Sequence, residues 1–142
     1  MFLFDTDHIG ILQRRSEPEF SRFSFRASRH DEADFFTSII SFHEQVTGWN
    51  AYLNRARTQR DVVHSYLRFE KILRDFSERQ VLPFDDAASD VFESLKRQRV
   101  RIGTLDLRIA SIAIAKQMTL LSRNLQDFRK VPGLDVEDWT AA

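Results

Sequence analysis

Three acidic side chains stand where carboxylates are costly. Asp5 closes the apolar run Phe2-Leu3-Phe4, and Glu44 lies near the start of a helix-like stretch. Asp106 lies in Arg101-Ile102-Gly103-Thr104-Leu105-Asp106-Leu107-Arg108-Ile109-Ala110, just inside the start of a helix that is apolar nearly all round. A carboxylate at the edge of an apolar element costs free energy unless something compensates it. A divalent cation does so well, and a cation on an acidic rim is the outline of a phosphodiester-cleaving site.

Each acid also has a structural explanation. Asp5 or Asp7 suits the N-cap of a first helix. Glu44 follows Ser41 in the S-x-x-E pattern of a capping box. Asp106 falls in a first helical turn after Thr104, where negative charge suits the helix dipole. Taken singly these readings balance the chemical one. Jointly the acids favour chemistry, because the elements that carry them point to one edge of a sheet.

Those elements follow from the pattern of apolar residues. Phe2–Phe4 reads as a strand, followed by a helix through Ile9, Ile11 and Leu12. Pro18–His30 reads as a helix with Phe20, Phe23 and Ala27 on one side. Phe35–Ile40 is β-rich, and Ser41 opens the next helix, with Gly48 as a candidate interruption. Residues 50–79 read as two helices or one bent one. Val81–Phe84 reads as a strand, and Asp85 caps a helix whose inner face holds Ala87, Ala88, Val91, Phe92 and Leu95. Gly103-Thr104 caps the buried helix Leu105–Lys116. Met118–Leu121 is a strand ending in Ser122-Arg123-Asn124, Val131–Leu134 is a turn, and Val136–Trp139 is an edge strand. Strands alternating with helices predict an α/β fold with right-handed crossovers and a mainly parallel sheet. Active groups in such sheets gather beyond the carboxyl ends of the strands. Asp5 and Asn124 follow strands, while Glu44 and Asp106 open helices at that edge.

Composition bounds the alternatives. A chain of 142 residues, 42% hydrophobic with 13 Phe, suits one domain over residues 1–142 with its own core. The Phe-rich early segment reads as core more readily than as a partner surface. No apolar run spans a bilayer, the start has no basic n-region, and there is no cysteine, so a cytoplasmic location is expected. The 21 basic and 21 acidic residues balance, which argues against a general electrostatic nucleic-acid binder. The distribution is less even: Arg14, Arg15, Arg22, Arg26 and Arg29 fall in one segment, either a solvated helix face or a phosphate-binding strip. The histidines His8, His30, His43 and His64 have no metal-ligand spacing, and with 4 Gly there is no phosphate loop.

Five segments in order resemble one family. They are Leu3-Phe4-Asp5-Thr6-Asp7-His8-Ile9, Thr37-Ser38-Ile39-Ile40-Ser41-Phe42-His43-Glu44-Gln45, Ile102–Ala110, Leu120-Leu121-Ser122-Arg123-Asn124-Leu125-Gln126-Asp127-Phe128 and Val131-Pro132-Gly133-Leu134. The chain resembles the PIN-domain ribonucleases, and among them the VapC toxins of type II toxin–antitoxin pairs. The resemblance implies a three-layer α/β/α fold with the parallel sheet flanked by helices. It implies a metal-dependent endoribonuclease with Asp5, Glu44 and Asp106 as core acids around Mg²⁺ or Mn²⁺. Asn124 or Asp127 fills a fourth position that orients water, and Asp7 stands where the family commonly has Asn. It further implies an RNA substrate, tRNA among the candidates, a VapB-like antitoxin laid into an apolar and Arg-lined groove, and a homodimer.

Two rivals remain open at this point. Asp5-Thr6-Asp7 has the D-x-D spacing of haloacid-dehalogenase-type phosphatases, although Gly-Thr does not follow it. A PIN-like module that has lost catalysis and only binds RNA or protein is the other, motivated by Asn124 and Asp7.

Overall fold

The computed structural model describes all 142 residues. In chain order the elements are β1 (Phe2–Phe4), α1 (Thr6–Arg14), α2 (Glu19–Ala27), a 3-10 turn (Glu32–Asp34), β2 (Phe35–Ser38), α3 (Ile39–Asn54) and α4 (Gln59–Ser77). They continue with β3 (Val81–Leu82), α5 (Asp86–Arg97), α6 (Thr104–Ala115), β4 (Thr119–Leu121), α7 (Leu125–Phe128) and β5 (Val136–Glu137). The strands form one sheet in the order β3-β2-β1-β4-β5, with every pairing parallel. The strand order reverses at β1, and the crevice beside such a reversal is where α/β sheets place their ligands.

Alternation along each strand divides the core into two. Leu3, Leu120, Phe36 and Leu82 turn to the side covered by α5 and α6, where Leu95, Leu107, Ile109 and Ile112 pack. Phe2, Phe4, Phe35, Leu121 and Val81 turn to the opposite side, against Ile9, Phe23, Ile72 and Phe76 of α1, α2 and α4. The result is the expected three-layer α/β/α arrangement. Helix α6 is buried along Leu107 and Ile109–Ala113, and its one buried polar side chain, Ser111, donates to the Leu107 carbonyl one turn back at 2.7 Å. No helix is long and apolar enough to cross a membrane.

The structure moves several boundaries. Strand β2 ends at Ser38, because the Ser38 hydroxyl accepts from the Ser41 N–H and starts α3 there; Ile39 and Ile40 are helical. Ser38 therefore takes the cap expected of Ser41, and Glu44 belongs to no capping box. Gly48 does not interrupt α3: it is exposed inside the helix, where the loss of roughly 1 kcal/mol of helix propensity is outweighed by packing of the neighbouring turns. The break comes at residues 55–58, and α4 restarts on Thr58, whose hydroxyl accepts from Asp61 N–H. Gly103, not Thr104, occupies the N-cap of α6, without a side-chain bond. Ala87 is exposed, so the inner face of α5 rests on Ala88, Val91, Phe92 and Leu95. Trp139 leaves the edge strand and packs among Phe2, Phe23, His30 and Phe35, stacked on the His30 ring alone. Phe23 is core, whereas Phe25 is exposed beneath Arg29.

Candidate metal centre at the carboxyl edge

Strand β1 delivers Asp5 to the sheet edge. The residue closes the strand by donating its N–H to the Leu121 carbonyl, and then caps α1 by accepting from Thr6 N–H at 2.8 Å. The second turn of α3 and the first turn of α6 carry Glu44 and Asp106 to the same place. One carboxylate oxygen from each of Asp5, Glu44 and Asp106 lies within 4.8 Å of the others. Asp5 is 6% exposed, and Glu44 and Asp106 are half-buried.

A network of hydroxyls holds this cluster. The Ser122 hydroxyl, fully buried after β4, donates to Asp5 Oδ2 at 2.7 Å and accepts from Asn124 N–H. The Thr6 hydroxyl lies 2.9 Å from both Glu44 Oε1 and Ser41 Oγ. Its single proton goes to the carboxylate, so Ser41 donates to Thr6 and the three side chains form one relay. Asp7 accepts from Arg123 N–H at 2.9 Å and lies 2.9 Å from Nδ1 of the buried His8, so the cap expectation falls to Asp5 alone. The two candidates for the fourth position are in contact, since Asn124 Nδ2 donates to Asp127 Oδ2 at 3.1 Å.

Crowding and burial set the protonation of the cluster. Burial pushes Asp5 up to about 7, and the nearby charges of Asp7 and Asp106 add to this while the Ser122 and Thr6 bonds oppose it. Burial also raises Glu44 and Asp106, reinforced by Asp106 and Asp7 for the first and by Asp127 and Asp7 for the second. Asp127 itself is held below the ordinary range by its bonds to Asn124 and Lys130. An unrelieved trio of this kind is unfavourable as three anions. It is the oxygen donor set that a hard divalent cation takes.

The sequence reading therefore names the acids that the structure brings together. It misses the hydroxyls. Thr6 stands between two acids and Ser122 follows β4, but nothing in their spacing announces that they reach Glu44 and Asp5.

A family model for the PIN domain matches residues 3–134. The chain belongs to the PIN domain family. Within it, the chain is 30% identical over 143 residues to the tRNA(fMet)-specific endonuclease VapC of Salmonella typhimurium, with 97% of each chain covered. A shorter match, 42% identical over 45 residues, joins it to Ribonuclease VapC2 of Rickettsia felis and spans 32% of this chain and 34% of that protein. The fold of this PIN domain also matches the crystal structure of DNA-bound VapBC from Salmonella typhimurium, with a TM-score of 0.72, 22% identity and 97% of each chain covered. The haloacid-dehalogenase reading of Asp5-Thr6-Asp7 loses its ground with this assignment.

Proposed function

We propose that this chain is a metal-dependent endoribonuclease, the VapC-like toxin of a toxin–antitoxin pair, acting as one domain over residues 1–142. The observation that carries the reading is the meeting of Asp5, Glu44 and Asp106 within 4.8 Å, from three distant segments, on a PIN-domain sheet edge. The donor set fits Mg²⁺ or Mn²⁺, both of which prefer oxygen ligands. Asp5 and Asp106 would hold the ion directly or through water, and Glu44 would bind the same ion or a second one. Bound there, a divalent cation supplies Lewis acidity that screens phosphate charge and lowers the pKa of water.

The protein groups do the positioning. Ser122 and Thr6 fix the rotamers of Asp5 and Glu44 and favour their charged forms. The Asn124–Asp127 pair, beside Asp106, orients water or the phosphate for in-line attack. Exposed single-stranded segments of RNA are the substrates most open to such a site. The similarity to a tRNA(fMet)-specific endonuclease makes tRNA the first to test. Unregulated cleavage of RNA in the cytoplasm is harmful, which supports a VapB-like antitoxin as partner; a homodimer completes the reading.

The test is inducible expression with transcriptome-wide mapping of cleavage ends, run beside Asp5→Asn. Discrete new ends with the wild-type chain and none with the variant are expected. Ends that persist with Asp5→Asn would show that the cleavage does not depend on this site, and toxicity without cleavage would point to a PIN domain that only binds.

A further inference from the structure

Two basic cavities flank the acidic trio, one in each helical layer. The first, about 650 Å³, lies between α1, α3 and α4 and shares Thr6, Asp7 and Gln45 with the site's edge. Its cations are Arg14, Arg15, Arg68, Lys71 and Arg79. The second, about 720 Å³, lies between the end of α5 and the start of α6 and touches the site through Thr104 and Asp127. Its cations are Lys96, Arg99 and Arg101.

Most of these charges have no carboxylate partner. Arg79 is bound to Asp75, whose carboxylate also accepts from Gln13, but Arg14, Arg15, Arg68, Lys71, Lys96, Arg99 and Arg101 form no ion pair. Several are nevertheless placed. Arg68 lies over the Trp49 ring, 5.2 Å from its centroid. The Arg14 guanidinium folds back over Gly10, where a Cβ would meet it at 3.0 Å, so the bare glycine lets it lie against α1. By contrast, Arg22 and Arg26 of the same early segment are spent on the carbonyls of Thr140 and Asp138.

The backbone adds a second line. The non-glycine residues at positive φ are Arg15 (51°), Arg99 (60°) and Gln117 (55°). A left-handed residue at a helix end is where glycine is cheapest. Two of these three positions carry an arginine, and each arginine lines one of the two cavities. Local backbone energy argues against arginine there, and the cavity's charge argues for it.

We propose that a single-stranded RNA crosses the acidic trio with its backbone seated in both cavities. Arg14, Arg15, Arg68 and Lys71 take phosphates on one side of the scissile bond, and Lys96, Arg99 and Arg101 take them on the other. The cations hold the strand electrostatically and offset the repulsion between its phosphates and the acids. This rests on the nuclease reading for its substrate class but not for its readout.

The test measures binding of a single-stranded RNA oligonucleotide to the full chain in metal-free buffer, and cleavage separately with Mg²⁺. The variants are Arg15→Gly with Arg68→Gln for one cavity, and Arg99→Gly with Arg101→Gln for the other. Arg57→Gln with Arg60→Gln, outside both cavities, is the control. Each cavity pair should weaken binding about tenfold, and the two together multiplicatively. The slope of log affinity against log salt should fall by about 0.7 for each phosphate contact removed. The losses should appear in KM more than in kcat, and the melting temperature should hold or rise, because glycine relieves the left-handed backbone. The control should bind as wild type. Binding within twofold of wild type in both cavity pairs, or an equal loss in the control, overturns the track and leaves the cavities to a protein partner. If the wild-type chain cleaves no RNA, the nuclease reading falls while the binding series still decides this one.

Discussion

Ser122 donates its hydroxyl to Asp5 at 2.7 Å across a sequence separation of 117, tying the end of β4 to the end of β1 at the point where the strand order reverses. Burial drives Asp5 toward its neutral form, and this bond pulls the other way. Ser122→Ala removes the opposing pull, so Asp5 titrates higher still. The acid limb of the pH–rate profile for RNA cleavage is expected to move to higher pH, with activity below neutrality down about tenfold for each pH unit moved. An unmoved limb would show that Ser122 only fills space.

Asp106→Asn separates charge from fold. The Asp106 carboxyl has no hydrogen-bond partner in the protein, and it is already raised by burial and by Asp127 and Asp7. Neutralising it relieves repulsion. The metal-free variant should therefore melt at or above wild type, while cleavage falls on the order of 100-fold or more. Full activity in the purified variant, with contaminating nuclease excluded, would remove Asp106 from the centre.

Much of this site was legible because each acid interrupts an apolar pattern: Asp5 after Phe2-Leu3-Phe4, Asp106 within Leu105–Ala110. Period-2 and helical patterns placed the elements for the same reason, that burial imposes periodicity. Boundaries set by side-chain caps were less legible. Ser38 and Ser41 are equally good caps by type, and only the end of pairing between β2 and β3 selects Ser38. The Thr6–Glu44 and Ser122–Asp5 bonds were illegible, since a hydroxyl leaves no periodic trace and its partner lies far along the chain.

Thr6→Val tests the hydroxyl relay. Without the Thr6 proton, Glu44 loses the bond that holds its carboxyl down, and the buried Ser41 hydroxyl loses its acceptor. A buried polar group left unpaired costs about 1–3 kcal/mol, which urea unfolding would report. Cleavage should fall as the fraction of charged Glu44 drops, more steeply toward acid pH, and Thr6→Ser should restore both. A valine variant equal to wild type in stability and rate would dissolve the relay.

The acid cluster also predicts how stability depends on pH and on metal. Asp5 titrates near 7 in the folded protein against 3.8 for an unperturbed aspartate. The folded state therefore binds the proton more tightly than the unfolded chain does. The stabilisation is fully present below about 3.8 and is lost as pH rises through about 7. From this one group the loss is on the order of 4 kcal/mol, and the raised Glu44 and Asp106 steepen it in the same direction. Asp85 and Asp127, shifted downward at the surface, contribute the opposite slope at pH values below the ordinary carboxylate range and leave this window alone. Urea unfolding in a chelator should thus show stability falling from about pH 4 to about pH 7. Mg²⁺ should reverse the loss, because an ion that binds only the folded state at a hundred times its Kd stabilises it by about 2.7 kcal/mol. The reversal should be larger above neutrality, where no proton competes for Asp5. Asp5→Asn should flatten the slope and remove most of the Mg²⁺ effect. A wild-type profile that is level in chelator and indifferent to Mg²⁺ would mean that the three carboxylates share no ion.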